Sequence, residues 1–136
     1  MRTISDGVFT PALSFSTTDP TGLVYGSQDG RYVKIGSMVQ FWAKIVLTNK
    51  GTGGVGDLQM SLPFVARKPG AALVGQCLAV TFPTGMEQLV GKISANSGVM
   101  KLIGNDSAGA AAVAVTYAEI ANTTEIEVSG SYILAE

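Results

Sequence analysis

The chain contains no histidine, which removes the side chain that most often serves as a general base near neutral pH. Ser-His-Asp and Cys-His nucleophilic sites go with it. One cysteine in 136 residues excludes an internal disulfide, and one cysteine without histidine cannot assemble a tetrahedral N/S zinc site. The apolar setting of that residue, Gln76-Cys77-Leu78-Ala79-Val80, points to a buried thiol rather than a reactive one. Charge is scarce too, at 14% of the chain against about 25% in an ordinary soluble domain. The 9 basic and 10 acidic residues, net -1, stand singly. No basic stripe exists to track a phosphate backbone, so nucleic acid is not an expected partner. No stretch approaches the roughly 18 uninterrupted apolar residues of a membrane helix, and the start, Met1-Arg2-Thr3-Ile4-Ser5-Asp6, lacks an apolar leader run. The expectation is a soluble protein made in the cytosol, with no cofactor, no metal and no membrane insertion. A small monomer must dress its surface in polar groups. A shortage of charge therefore suggests that other copies of the chain cover part of it, although an extracellular or virion protein rich in Ser, Thr and Gly shows the same shortage.

What the chain does have is alternation. From Val39 the odd positions read Val39, Phe41, Ala43, Ile45 and Leu47, and the even ones Gln40, Trp42, Lys44, Val46 and Thr48. A period of two is the pattern of a half-buried strand, with one row on each pleat face. Gly36-Ser37 before it reads as a tight turn. Leu58, Met60, Leu62 and Phe64 repeat the pattern and end at the corner Leu62-Pro63-Phe64. Residues 7–15 carry Phe9, Leu13 and Phe15 on one parity with Pro11 between them, an edge or bulged strand because proline cannot donate to a ladder. Asp29-Gly30 is a turn signal closing a short strand at 23–25, and residues 49–56, with four glycines, suit a hairpin loop or a mobile tip. Residues 73–82 are apolar on both parities, which predicts a strand buried on both faces. Residues 89–93 and 99–103 form a hairpin pair. Residues 110–120 are ambiguous between helix and strand and are read as strand, and 125–134 form a last strand with Ile126, Val128 and Tyr132 on one parity.

Eight to ten short strands with Gly, Pro, Asn or Asp between them, and no convincing helix, predict an all-β fold, an antiparallel β-sandwich of jelly-roll type. With this length the chain is a single domain, residues 1–29 supplying N-terminal edge strands and loops and residues 30–136 the main module.

Few residues invite chemistry. Glu125 and Glu127 share a strand face about 7 Å apart, within reach of glycosidase chemistry, but alternate glutamates on a last strand read first as a solvated face, and no enzyme is expected. The glycine-rich 51–56 lacks the Lys-Ser/Thr and the helix of a phosphate cradle. Asn105-Asp106-Ser107 offers loop oxygens, yet one acid is too few for a calcium site. Binding is the better prospect. Trp42 falls on the more polar face with Gln40 and Lys44, and two covers suit a large ring there: a neighbouring subunit or a sugar ring. Tyr25, Asp29 and Arg31 lie in or beside the loop expected to lead into this stretch, an aromatic with charged donors and acceptors of the kind found in carbohydrate grooves, and equally of the kind found in ordinary turns.

The order of Gly30-x-Tyr32-x-Lys34-Ile35-Gly36-x-x-Val39-x-Phe41, then Leu62-Pro63-Phe64, then Ile126-x-Val128-Ser129-Gly130-x-Tyr132 resembles the C-terminal modules of bacteriophage tail fibres and tailspikes, over roughly residues 30–134. The resemblance implies a β-sandwich, a homotrimer, and a virion tail appendage that attaches to a bacterial surface glycan or protein, joined to the remainder of a fibre or spike. It implies no particular binding residues. A trimerisation or capsid-decoration module without ligand is the alternative.

Overall fold

In the computed structural model, which describes residues 4–81, 86, 88–105 and 113–134, the alternation becomes strands almost throughout. They are β1 (Ile4–Phe9), β2 (Leu13–Phe15), β3 (Val24–Ile35), β4 (Met38–Asn49), β5 (Leu58–Ala66), β6 (Gly70–Val80), β7 (Gln88–Ile93), β8 (Ser97–Asn105), β9 (Val113–Ala114) and β10 (Ile120–Ile133), with a 3-10 turn at Tyr117–Glu119. The strands pair in the order β1-β3-β4-β10-β6-β7-β8-β5-β2, with the short β9 beside β8, and the pairs are antiparallel. The expected all-β antiparallel class holds. Its two layers are the two walls of one curled sheet.

Pro11 explains the curl. β1 and β2 stand at opposite ends of the strand order, yet only Thr10-Pro11-Ala12 separates them in the chain. A residue that cannot donate to a ladder interrupts what would be one strand, and its two halves pair with the two ends of the sheet. The corner is held by side chains: Ala12 N donates to Ser61 Oγ (2.9 Å), Leu13 N to the Tyr25 hydroxyl (2.7 Å), and Gln28 Nε2 to the Pro11 carbonyl (2.8 Å).

The core is the concave face. Val39, Phe41, Ala43, Ile45 and Leu47 of β4 are each at most 5% exposed and meet Ile126, Val128 and Tyr132 of β10, Leu58 and Met60 of β5, and Met100 and Leu102 of β8 in one buried cluster. Thr124 is the buried polar residue among those described. Its hydroxyl donates to Ala79 O and accepts from Ala121 N, both at 2.8 Å, so its burial leaves no unmet bond. Tyr132 does the same for the Leu62-Pro63-Phe64 corner, where β5 slips out of register with β8 between Ser61 and Ala66. Its hydroxyl donates to Phe64 O (2.8 Å) and accepts from Phe64 N (2.9 Å).

Burial pushes the Tyr132 hydroxyl up to about 12, against the pull of its bond to Phe64. An unfolded tyrosine titrates near 10. Above pH 10 the unfolded chain therefore loses a proton that the folded chain keeps, and stability falls as pH rises. Urea unfolding should show stability falling between pH 10 and pH 12, by at most about 2 kcal/mol from this hydroxyl. A flat profile across that window would contradict the buried, hydrogen-bonded hydroxyl.

Several local expectations hold. Gly36-Ser37 turns β3 into β4, with Gly36 at φ +59°, a left-handed conformation that glycine adopts without strain. β7 and β8 form the expected hairpin. Other expectations are corrected. Asp29-Gly30 is no turn, for β3 runs straight through it. Gly30 is there because the Phe9 ring lies where a side chain would go: a Cβ would meet that ring at 2.7 Å. The 49–56 loop is no free tip, since Thr52 and Val55 bridge to Thr21 and Thr18 and the Tyr117 hydroxyl donates to Gly51 O. Nor is β6 buried on both faces. Leu73 is 68% exposed and Leu78 47%, and no described segment forms a second layer over the outer face of the sheet there. Within 110–120, residues 113–114 are strand and 117–119 a 3-10 turn; residues 110–112, like Asp106 and Ser107 of the calcium candidate, lie outside the described residues.

Candidate functional site

Strand parity puts Trp42 on the outer face of the sheet, and register decides what stands beside it. Directly across from Trp42 are Arg31 on β3 and Ser129 on β10. One step along β4, Lys44 faces Asp29 and Glu127, and one step the other way Gln40 faces Val33 and Ser131. Directly opposed residues on one face lie about 4.5–5.5 Å apart at Cβ, so these groups share one surface. Lys44 between two carboxylates makes an alternating row of charge, favourable across strands. The one described salt bridge in the molecule, Lys101–Asp57 at 3.4 Å, is elsewhere.

Two hollows indent this face. One, about 310 Å³, lies over β1, β3 and β4, among Asp6, Arg31, Val33, Gln40 and Trp42. The other, about 660 Å³, lies over β4, β10, β6 and β7, among Gln40, Ser129, Ser131, Ala71, Leu73 and Val90. Gln40 lines both. Together they form a trough crossing six strands, about 24 Å at the usual spacing between strands. Small side chains make it: Ser129, Ser131 and Ala71 floor the middle, where larger residues would fill it. Gly130 between the serines lets β10 lie close on β6, for a Cβ there would meet Ala71 O at 2.5 Å.

Three of the four residues singled out in the sequence thus come together: Trp42, Arg31 and Asp29 share the outer face. Asp29 and Arg31 project from a strand rather than a loop. Tyr25 is set apart. The register slips at Gly26, so Ser27 faces Val46 outward while Tyr25 faces the buried Leu47. Its hydroxyl accepts from Leu13 N. Burial raises its pKa, the Leu13 bond draws it down, and nearby Asp19 raises it further. Tyr25 is a strut of the seam between β1 and β2.

Sequence reasoning missed Asp6, Ser129 and Ser131. The serines share the parity of Glu125 and Glu127, a signal that was present in the chain. Asp6 had none, because nothing local says that β1 pairs with β3. Glu125 and Glu127 do occupy one face of β10, opposite Val46 and Lys44, and neither lines the trough. Cys77 is half-buried and burial pushes its thiol pKa up, the opposite of an activated thiolate. Among the described residues no three of Cys, Asp and Glu gather to hold a metal ion, and no helix is long and apolar enough to cross a membrane.

An aromatic ring flanked by a guanidinium, an amide, two hydroxyls and a carboxylate on a shallow, rigid floor can stack on an apolar ring face and hydrogen-bond the groups around its rim. No family model matches the sequence, and no curated protein matches it. The fold is that of a segment of the Dettilon tailspike protein, which superposes on 96% of this chain at a TM-score of 0.75 with 12% sequence identity. The chain spans 24% of the length of that tailspike, and what the two share is the arrangement of strands.

Proposed function

We propose that the chain is a module of a virion tail appendage, a tail fibre or tailspike, that assembles as a homotrimer and holds a host surface glycan in the outer trough, without catalysis. The trough carries this reading: Trp42 beside Arg31, Gln40, Ser129 and Ser131, on strands whose hydrogen bonding fixes their positions. The tailspike fold supports the appendage, and the quoted motifs point the same way. A rigid sheet face gives up little conformational entropy on binding. Glu125 and Glu127 share the outer face with the trough but do not line it, which supports binding without cleavage.

Trp42→Ala and Arg31→Ala should each weaken adsorption to host cells, or to arrayed bacterial surface polysaccharide, by roughly 30- to 1000-fold, the range of a binding hot spot of about 2–4 kcal/mol. Far-UV circular dichroism should not change. Adsorption untouched by both substitutions overturns the binding reading. If the assembly also stays intact, the chain is a trimerisation or decoration module, the role that its low charge equally suits.

A further inference from the structure

The larger hollow of the trough has two chemically different sides. Register sets two outward rows across it in strand order: Trp42, Ser129, Leu73 and Val90 in one, and Gln40, Ser131 and Ala71 in the other. On β4 and β10 the hollow is lined by an amide and two hydroxyls. On β6 and β7 it is lined by Ala71, Leu73 and Val90, whose side chains hold no donor or acceptor. Lys92, opposite Ala71 on β7, does not line the hollow, and none of the described residues that do is charged. Leu73 is 68% exposed although Val90 stands directly across from it. Exposed apolar groups gathered in a recess with polar groups at its rim mark a binding surface. Small-ligand sites are concave, mostly apolar and some hundreds of Å³ in volume, and this hollow of about 660 Å³ has those dimensions.

The division limits what a bound sugar can present on each side. A hydroxyl set against Leu73 and Val90 would give up water and meet no partner, which costs free energy. A methyl group set there gives up no hydrogen bond and buries apolar surface, its own and that of the two side chains. Sugars carry methyl groups in two common forms, the 6-deoxy carbon and the acetyl group, and both leave ring hydroxyls free to meet Gln40, Ser129 and Ser131. From Trp42 to Leu73 is two strand spacings, about 10 Å. The methyl against Leu73 therefore lies beyond the ring stacked on the indole.

We propose that Ala71, Leu73 and Val90 seat a methyl group of the bound glycan, so that the module selects polysaccharides built with 6-deoxy or acetylated sugars. This deepens the glycan reading above and rests on it. In an apolar pocket, one such carbon more or less changes affinity about 10- to 200-fold. That is enough to separate two polysaccharides that differ in a single substituent.

The test uses the full chain and arrayed bacterial surface polysaccharides, sorted by whether the repeating unit carries a 6-deoxy methyl, an acetyl methyl or neither. The parent should retain members with a methyl group and hold those without one at least about 10-fold more weakly. Saturation passed from the protein to a retained polysaccharide, read by NMR, should fall most heavily on methyl protons. The 6-deoxy and acetyl methyls resonate apart, so the same spectrum tells which source is used. Leu73→Ser should lower the affinity about 10-fold or more and reduce the methyl saturation. Its circular dichroism and sedimentation should match the parent's, since a side chain this exposed carries little of the core. Retention of no polysaccharide overturns the glycan reading and this proposal with it. Retention without a preference for methyl groups, saturation spread evenly over the rings, or a Leu73→Ser chain that binds as the parent does overturns the methyl seat alone. A Leu73→Ser chain that loses assembly rather than binding gives that side chain to a neighbouring copy, and also overturns the seat alone.

Discussion

Tyr132→Phe should unfold about 3 kcal/mol more readily than the parent, lowering Tm by roughly 8–15 °C for a domain of this size. The substitution removes one oxygen, and that oxygen is both donor and acceptor to the backbone of Phe64. Phe64 sits at the corner where β5 is out of register with β8, so no strand stands ready to bond its N–H and C=O. Removing a partner costs about 1–3 kcal/mol for each fully buried backbone group, and Phe64 is half-buried, which holds the two together near 3 kcal/mol. The ring itself stays, edge-on to Phe41 at 5.9 Å between centroids, so packing is preserved and the loss reports the hydroxyl. The same variant should lessen the fall in stability between pH 10 and 12, leaving the part due to Tyr25 and Cys77, whose pKa values burial also raises. A Tm within 2 °C of the parent, or an unchanged alkaline slope, would show that the corner is held some other way.

Gly130→Ala should cost about as much, near the roughly 3 kcal/mol expected when a core is forced to take an extra methyl group. The new atom would lie 2.5 Å from Ala71 O and 2.8 Å from Ala72 Cα. Both are backbone or fixed to it, and neither can swing aside as a long side chain would. β10 must therefore move off β6 at the point where Ser129 and Ser131 floor the trough. The variant should lose stability and glycan binding together. Gly36→Ala is its control: Gly36 is left-handed but faces open space, so alanine there should cost about 1 kcal/mol and leave binding alone. Equal stability of the Gly130→Ala chain and the parent would mean that the two strands are not so closely packed.

The contrast between β4 and β6 shows how far local pattern carries. In β4 the apolar odd row and the mixed even row announced both the strand and the outward Trp42, and both are found. The chain also announced the break at Pro11 and the turn at Gly36, because each is a property of one residue. β6 misled because a pattern apolar on both faces implies a cover without saying which molecule provides it. Asp29-Gly30 misled for a related reason: glycine after aspartate suits a turn, but this glycine answers to Phe9, far back along the chain. Tyr25 and Arg31 share odd parity, and the slip at Gly26 set them on opposite faces. The trough was least legible, since it depends on β10 lying beside β4, and its two serines are about ninety residues from Trp42.

β10 is central in space and follows every other strand in sequence, lying between β4 and β6 and pairing with both along most of its length. During synthesis the hairpin of β3 and β4 and that of β7 and β8 can form early, since their contacts are local. The two halves become one sheet only when residues 120–133 lie between them. A message cut short, or a ribosome stalled before that point, yields fragments with two raw edges that proteases can recognise. The trough, whose floor is β10, exists only once that strand is in place.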